Sequence, residues 1–179
     1  MPMTLDAAPG LAPAMYPPLG IEEVRQFLYR EARALDDKQW DDWLGMYAAD
    51  APFWMPAWDD DDRLVDNPAR EISLIYYPDR RGLEDRVFRI RTERSSATSL
   101  PEPRTSHNIT NVEILAQDGG TCRLRFNWFT LNFRYKTTDT YFGTSYYTLR
   151  LGVEGPLIAD KRVVLKNDYI HHVIDVYHI

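Results

Sequence analysis

The chain has 179 residues, enough for one domain of ordinary size and too short for two comfortable ones. Lys and Arg number 21 against 27 Asp and Glu, a net charge of −6 that argues against a general nucleic-acid binder; the one cysteine, Cys122, rules out an internal disulfide framework and a Cys-rich metal site. An apolar fraction of 44% excludes global disorder, and 13% aromatics with five Trp point to a large packed core, an apolar cavity or an aromatic-anchored interface.

The first twenty residues are Pro-rich and lack a basic leader, so residues 1–20 are read as a flexible or extended arm rather than a secretory signal. No segment approaches the roughly 18 apolar residues of a membrane span, and the expectation is a cytoplasmic protein. A single domain is expected over 21–179. After Gly20, Val24, Phe27, Leu28, Ala32 and Leu35 recur with helical spacing. Asp36-Asp37 interrupts the pattern and offers an N-cap for a second helix, whose stripe is Trp40, Trp43, Leu44 and Tyr47. Asp50-Ala51-Pro52 stops it. Phe53-Trp54-Met55 reads as a short strand ending at Pro56, and Asp59-Asp60-Asp61-Asp62 as a loop. The run Ile72–Tyr77 fits helix or strand. Helical spacing returns at Leu83 with Val87 and Ile90, on a basic segment carrying Arg86, Arg89, Arg91 and Arg94.

The second half is strand, turn, strand. One strand covers Arg104 to Leu115, and Asp118-Gly119-Gly120 signals a turn. In the next strand Cys122, Leu124, Phe126 and Trp128 alternate with polar residues, and then the phase flips to Phe129, Leu131, Phe133 and Tyr135. Such a flip implies a bulge or a passage between environments. Further strands follow at about Thr138 to Leu151 and Ile158 to Lys166, with the tail to Ile179 as a possible extension of the last. Helices followed by an antiparallel meander make an α+β domain: a strongly curved sheet closing over an N-terminal helix as a cone.

The candidate chemistry is sparse. A mononuclear iron site needs two His and a carboxylate at one point. His171 and His172 are neighbours on an expected strand and would face opposite ways, so they and His107 and His178 are read as structural. No Cys-x-His pair exists to hold a Rieske cluster. The four-Asp run lacks the Gly and distal Glu of a calcium loop and is read as solvated or facing a partner. The arginines from Arg86 to Arg94 sit among Glu84, Asp85 and Glu93 and are read as ion-paired. Cys122 lies in an apolar register as an inert core thiol. A cone can also house a small acid–base enzyme. His107, Tyr29, Tyr146 and Asp36 are the candidates for that alternative, a self-sufficient isomerase or dehydratase, and their spacing singles none of them out.

Four segments carry a family resemblance: FLYREARALDD (27–37), YAADAPFWMPAWDD (47–60), EISLIYYPDRRGLEDRVFRIRTERSSA (71–97) and RTSHNITNVEIL (104–115). With the Asp50–Pro56 and Leu83–Ile90 patterns they resemble the small (beta) subunit of aromatic-ring-hydroxylating dioxygenases, most of all the benzoate and toluate 1,2-dioxygenase group. The resemblance runs from about Ile21 to the C-terminus. It implies a nuclear-transport-factor-two-like cone and a non-catalytic structural subunit, with no catalytic, cofactor or metal residue of its own. It also implies a large (alpha) subunit bearing a Rieske 2Fe–2S cluster and a mononuclear Fe(II), with NADH acting through a reductase. That enzyme adds both atoms of O2 to an aromatic carboxylate to give a cis-dihydrodiol. Self-association as a trimer is expected, with the reductase an indirect partner. Trp58, Arg80, Arg81, Arg86 and Arg89 are the expected subunit contacts, since Arg and Trp are enriched at interface hot spots.

Overall fold

A computed structural model describes residues 16–92 and 101–179. Helix α1 (Ile21–Asp36) starts where Glu23 turns back to accept the Gly20 N–H at 2.7 Å. Glu22 and Glu23 in its first turn and Arg33 in its last complement the helix dipole. Its buried stripe is Val24, Phe27, Leu28, Glu31, Ala34 and Leu35. Asp36 does not cap the second helix: α1 runs through it, and α2 (Trp40–Gly45) begins after Gln39 with no side-chain cap. Helix α2 is also shorter than its stripe, because Tyr47 leaves it to bridge Ile158.

The strands are β1 (Phe53–Pro56), β2 (Ser73–Tyr77), β3 (Arg104–Gln117), β4 (Thr121–Arg134), β5 (Thr137–Arg150) and β6 (Leu157–Leu165), with α3 (Arg81–Arg91) between β2 and β3. Ile72–Tyr77 therefore resolves as strand, and α3 starts two residues before Leu83. Glu93 and Arg94 of the basic segment lie outside the described residues, as does most of the expected arm. Tyr16 and Leu19 are bound to the β3–β4 hairpin, Tyr16 N–H to Gly119 O at 3.0 Å and Leu19 N–H to Gln117 Oε1 at 2.8 Å. One curved sheet has the order β2-β1-β6-β5-β4-β3, antiparallel except where β1 lies parallel to β6. Its inner face packs on α1, and the core between them holds Phe27, Trp43, Phe53, Leu124 and Phe126.

The phase flip in β4 is a passage between environments, not a bulge. Its register with β5 is unbroken from Thr121↔Arg150 to Arg134↔Thr137. Cys122 to Trp128 face inward, and so do Thr130 and Asn132 beyond them, while Phe129, Leu131 and Phe133 stand 38 to 42% exposed on the outer face. Register shifts lie elsewhere: in β3 between Thr110 and Glu113, where Asn111 has φ 52°, and between Ile114 and Ala116, in β1 between Met55 and Pro56, and in β5 between Thr148 and Leu149.

The tail does not extend β6. After Leu165 it runs irregularly and ends in a 3-10 turn, Val176–His178, whose residues are buried in the core. Asp175 anchors this turn. It accepts the Val176 N–H at 2.8 Å and the Arg86 Nε–H at 2.7 Å, and its N–H donates to His178 Nδ1 at 2.9 Å.

Candidate functional site

Position 31 falls on the apolar stripe of α1 between Phe27 and Leu35, so the helix drives a carboxylate into the cone. Tyr47 and Tyr147 donate their hydroxyls to Glu31 at 2.7 and 2.8 Å, and Lys161 Nζ donates at 2.9 Å. The Lys161 ammonium also lies 5.1 Å from the ring centroids of Phe53 and Tyr147. All these groups are buried. Burial alone would raise the Glu31 pKa, but the Lys161 charge and three donors outweigh it and hold the carboxyl below its usual range. Burial pulls Lys161 down, and the Glu31 charge and hydrogen bond act against that shift.

Beside this cluster β3 brings His107 to Asp36. The ring Nδ1 lies 2.6 Å from Asp36 Oδ1, which also accepts Thr105 Oγ1–H at 2.9 Å. Burial would raise Asp36, yet the His107 bonds leave it lowered. A carboxylate offers only lone pairs, so Nδ1 carries a proton toward Asp36. His107 Nε2 and Trp128 Nε1 are buried without hydrogen-bond partners. A His–Asp pair can orient a general base. Here the cavity it borders, shared with Glu31, Tyr147, Lys161 and Ile179, holds about 20 Å³. That is room for one water, far below a substrate pocket of roughly 300–1,000 Å³.

Of the four residues considered for acid–base chemistry, the structure unites Asp36 and His107 and separates the other two. Tyr29 is on the exposed side of α1, and Tyr146 is on the outer face of β5. The isomerase or dehydratase alternative therefore lacks both its constellation and its space. The buried Glu31–Lys161 pair was missed in the sequence. Its signal was there: Glu31 interrupts a helical stripe at core spacing, and Lys161 is in phase with Val163 and Leu165 on β6.

The remaining histidines are dispersed. His178 is buried on Asp175, which sets its ring, and burial pushes it down to about 3. His171 and His172 are not on a strand but on exposed bends, with His171 edge-on to Tyr169. Among the described residues no three His, Cys, Asp or Glu side chains gather as metal ligands. These side chains fit neither a Rieske cluster nor a facial iron site. Cys122 is buried and its thiol is pushed up to about 11 by desolvation. Asp59 closes the acidic loop by accepting the N–H groups of Asp61 and Arg63 at 2.9 and 2.8 Å.

The arginines of the basic segment divide by exposure. Arg80 bonds Glu84 at 2.8 Å and the Tyr47 carbonyl at 3.0 Å. Arg86 is spent on buried Asp175. Arg81, with its side chain 83% exposed, pairs with Asp79 at 2.6 Å, and Arg89 is exposed. Trp58 donates its indole N–H to Leu165 O at 2.7 Å and leaves 47% of its surface to solvent. A single rung crosses all six strands: Glu113, Arg125, Tyr146, Arg162, Trp54 and Tyr76, each paired with the next.

The described residues thus form a helix-filled α+β cone with little free space beside the His107–Asp36 pair, and an outer sheet face rich in Arg, Tyr, Trp and Phe, several of them types enriched at protein interfaces. The chain belongs to the ring hydroxylating beta subunit family, whose model matches residues 30–172. It is 65% identical to the toluate 1,2-dioxygenase subunit beta of Pseudomonas putida over 161 residues, 90% of this chain and 99% of that one. It is 61% identical to the benzoate 1,2-dioxygenase subunit beta of Acinetobacter baylyi, covering 94% and 99%. The crystal structure of the benzoate 1,2-dioxygenase beta subunit of Burkholderia mallei superposes with a TM-score of 0.78 at 55% identity, covering 91% and 99%.

Proposed function

We infer that this chain is the small subunit of a benzoate- or toluate-type 1,2-dioxygenase, an oxidoreductase in which it partners a large alpha subunit. The observation that carries the reading is the near full-length identity to toluate and benzoate 1,2-dioxygenase beta subunits, joined to a cavity beside His107 and Asp36 with room for one water. The large subunit would hold the Rieske 2Fe–2S cluster and the mononuclear Fe(II), and NADH would reach it through a reductase that does not touch this chain. The reaction would add both atoms of O2 to an aromatic carboxylate. This chain's part is mechanical: a rigid wedge, self-associated as a trimer in the cytoplasm, that fixes the spacing between large subunits. Residues 1–20 act as an arm beside the domain of residues 21–179.

For the large-subunit contact we keep the face of α3 with Trp58. Arg81 and Arg89 present their charges there. Arg80 and Arg86 brace α3 from behind, through Tyr47 O and Asp175. Purified alone, the chain should be colourless and carry only background iron. Co-expressed with the large subunit of its enzyme it should purify as a red-brown complex that converts benzoate to its cis-dihydrodiol. Stoichiometric iron on the isolated chain, or no stable complex, would refute the assignment.

A further inference from the structure

The outer face of the sheet contains a groove of about 590 Å³, of which the large-subunit contact proposed above takes only the edge at Trp58. Trp58 and Tyr146 form its aromatic walls, and four cations line it, Arg123, Arg125, Arg162 and Lys166, against one carboxylate, Asp160. Arg125 is paired with Glu113 at 3.1 Å. Among the described residues Arg123, Arg162 and Lys166 have no carboxylate at ion-pair distance. The Arg162 guanidinium lies 4.8 Å over the Trp54 ring, and its Nε–H is buried without an acceptor. The charge of Arg162 is therefore held at the groove without a carboxylate partner, and a carboxylate brought to the groove would meet it there. A basic groove of this kind is anomalous on a chain of net charge −6.

The complementary surface is on the same chain. The loop Asp59–Asp62 begins directly after the groove wall Trp58. The Trp58↔Leu64 bridge and the Asp59 N–H to Arg63 O bond of 2.8 Å close it on itself. Asp59 is consumed by the loop, and Asp60, Asp61 and Asp62 stand exposed. Their nearest cation is Arg63, 3.9 Å from Asp61, and none reaches a groove cation of its own protomer. Groove and loop thus lie side by side, oppositely charged and unable to satisfy each other within one chain. Groove and loop on one chain are the two halves of a head-to-tail contact, and contacts of that kind between copies can close into rings.

We propose that the outer-face groove receives the Asp60–Asp62 loop of a second copy of this chain, and that this contact closes the trimer. It rests on the trimeric reading above and names the surfaces that make it. The test uses the full chain alone, by light scattering and native mass spectrometry, with thermal melting as the folding control. Arg123→Glu with Lys166→Glu, or Asp60→Lys with Asp61→Lys, should each place like charges in contact and weaken the trimer by about tenfold or more. All four changes together should restore it, and high salt should weaken the wild-type trimer. The contact is overturned if the wild type is a monomer or dimer, if either pair leaves the trimer intact, or if the fourfold variant melts normally without reassembling. Reversals that spare the trimer but break co-purification with the large subunit would give the groove to that subunit and overturn the proposal. Red-brown complex formation by a wild type that is monomeric alone would remove this contact while leaving the subunit assignment standing.

Discussion

Replacing Lys161 by Met tests whether the buried ion pair holds the cone together. The change keeps the side-chain length and removes the cation bonded to Glu31, whose carboxylate then has, among the described residues, the Tyr47 and Tyr147 hydroxyls. Stranding a buried charge this way costs about 3–5 kcal/mol. Against a total stability of about 5–15 kcal/mol, that is a loss of roughly a fifth or more. The sign of the pH dependence should also reverse. In the wild type the Glu31 pKa is lowered on folding, so its contribution is present above the unfolded carboxylate value of about 4.3 and is lost as pH falls through the folded one. Without Lys161 the dominant influence is burial, which raises the folded value. The contribution is then present in acid and lost as pH rises through the raised value. Urea unfolding at about pH 5 and pH 8 reads both effects: the variant should be weaker than wild type at both, and more stable at the lower pH. Adding Glu31→Gln removes the stranded charge and should recover most of the loss. A Lys161→Met protein within about 1 kcal/mol of wild type, with the wild-type pH slope, would refute the reasoning.

Asp175→Ala frees Arg86 and the Val176 N–H together and should cost about 3 kcal/mol, with faster proteolytic cleavage between residues 166 and 175 as the direct readout. Arg81→Ala with Arg89→Ala should leave the urea midpoint unchanged, because both side chains are exposed, yet weaken co-purification with the large subunit; unchanged co-purification would remove the α3 face from the contact. At Gly143 a Cβ would stand 2.0 Å from the Val164 carbonyl oxygen and 3.1 Å from the Trp128 ring. Gly143→Ala must therefore push β6 away from β5, and a melting temperature equal to wild type would show that the strands are not packed this closely.

The order of elements was legible because the patterns that set it are local. The α1 stripe, the Asp118–Gly120 turn and the alternation in β4 each follow from neighbours within a few residues. Where reading failed, the deciding partner was distant in the chain. Asp36 resembles an N-cap until His107 and Thr105, about seventy residues on, take its carboxylate. Arg86 resembles a surface charge until Asp175 is packed on it. The tail was open to reading as an extension of the last strand, and its buried 3-10 turn depends on that same Asp175. The outward Phe129, Leu131 and Phe133 show the opposite case: periodicity reports which residues share a face, and only the register says which face it is.

The parallel pairing of β1 with β6 has a kinetic consequence. Phe53 lies beside Lys161 and Trp54 beside Arg162, so this seam joins residues more than a hundred apart, whereas β3 to β6 are successive hairpins. Closing long loops is slow relative to zipping neighbouring strands. The meander should therefore form first, with the free edge of β6 (Val163, Val164, Leu165) unpaired until β1 arrives carrying β2. During that interval the open edge can accept a strand from another molecule. Refolding yield should fall steeply with protein concentration, and the species that accumulates should be an exchanged oligomer in which one chain's β1 completes another chain's sheet.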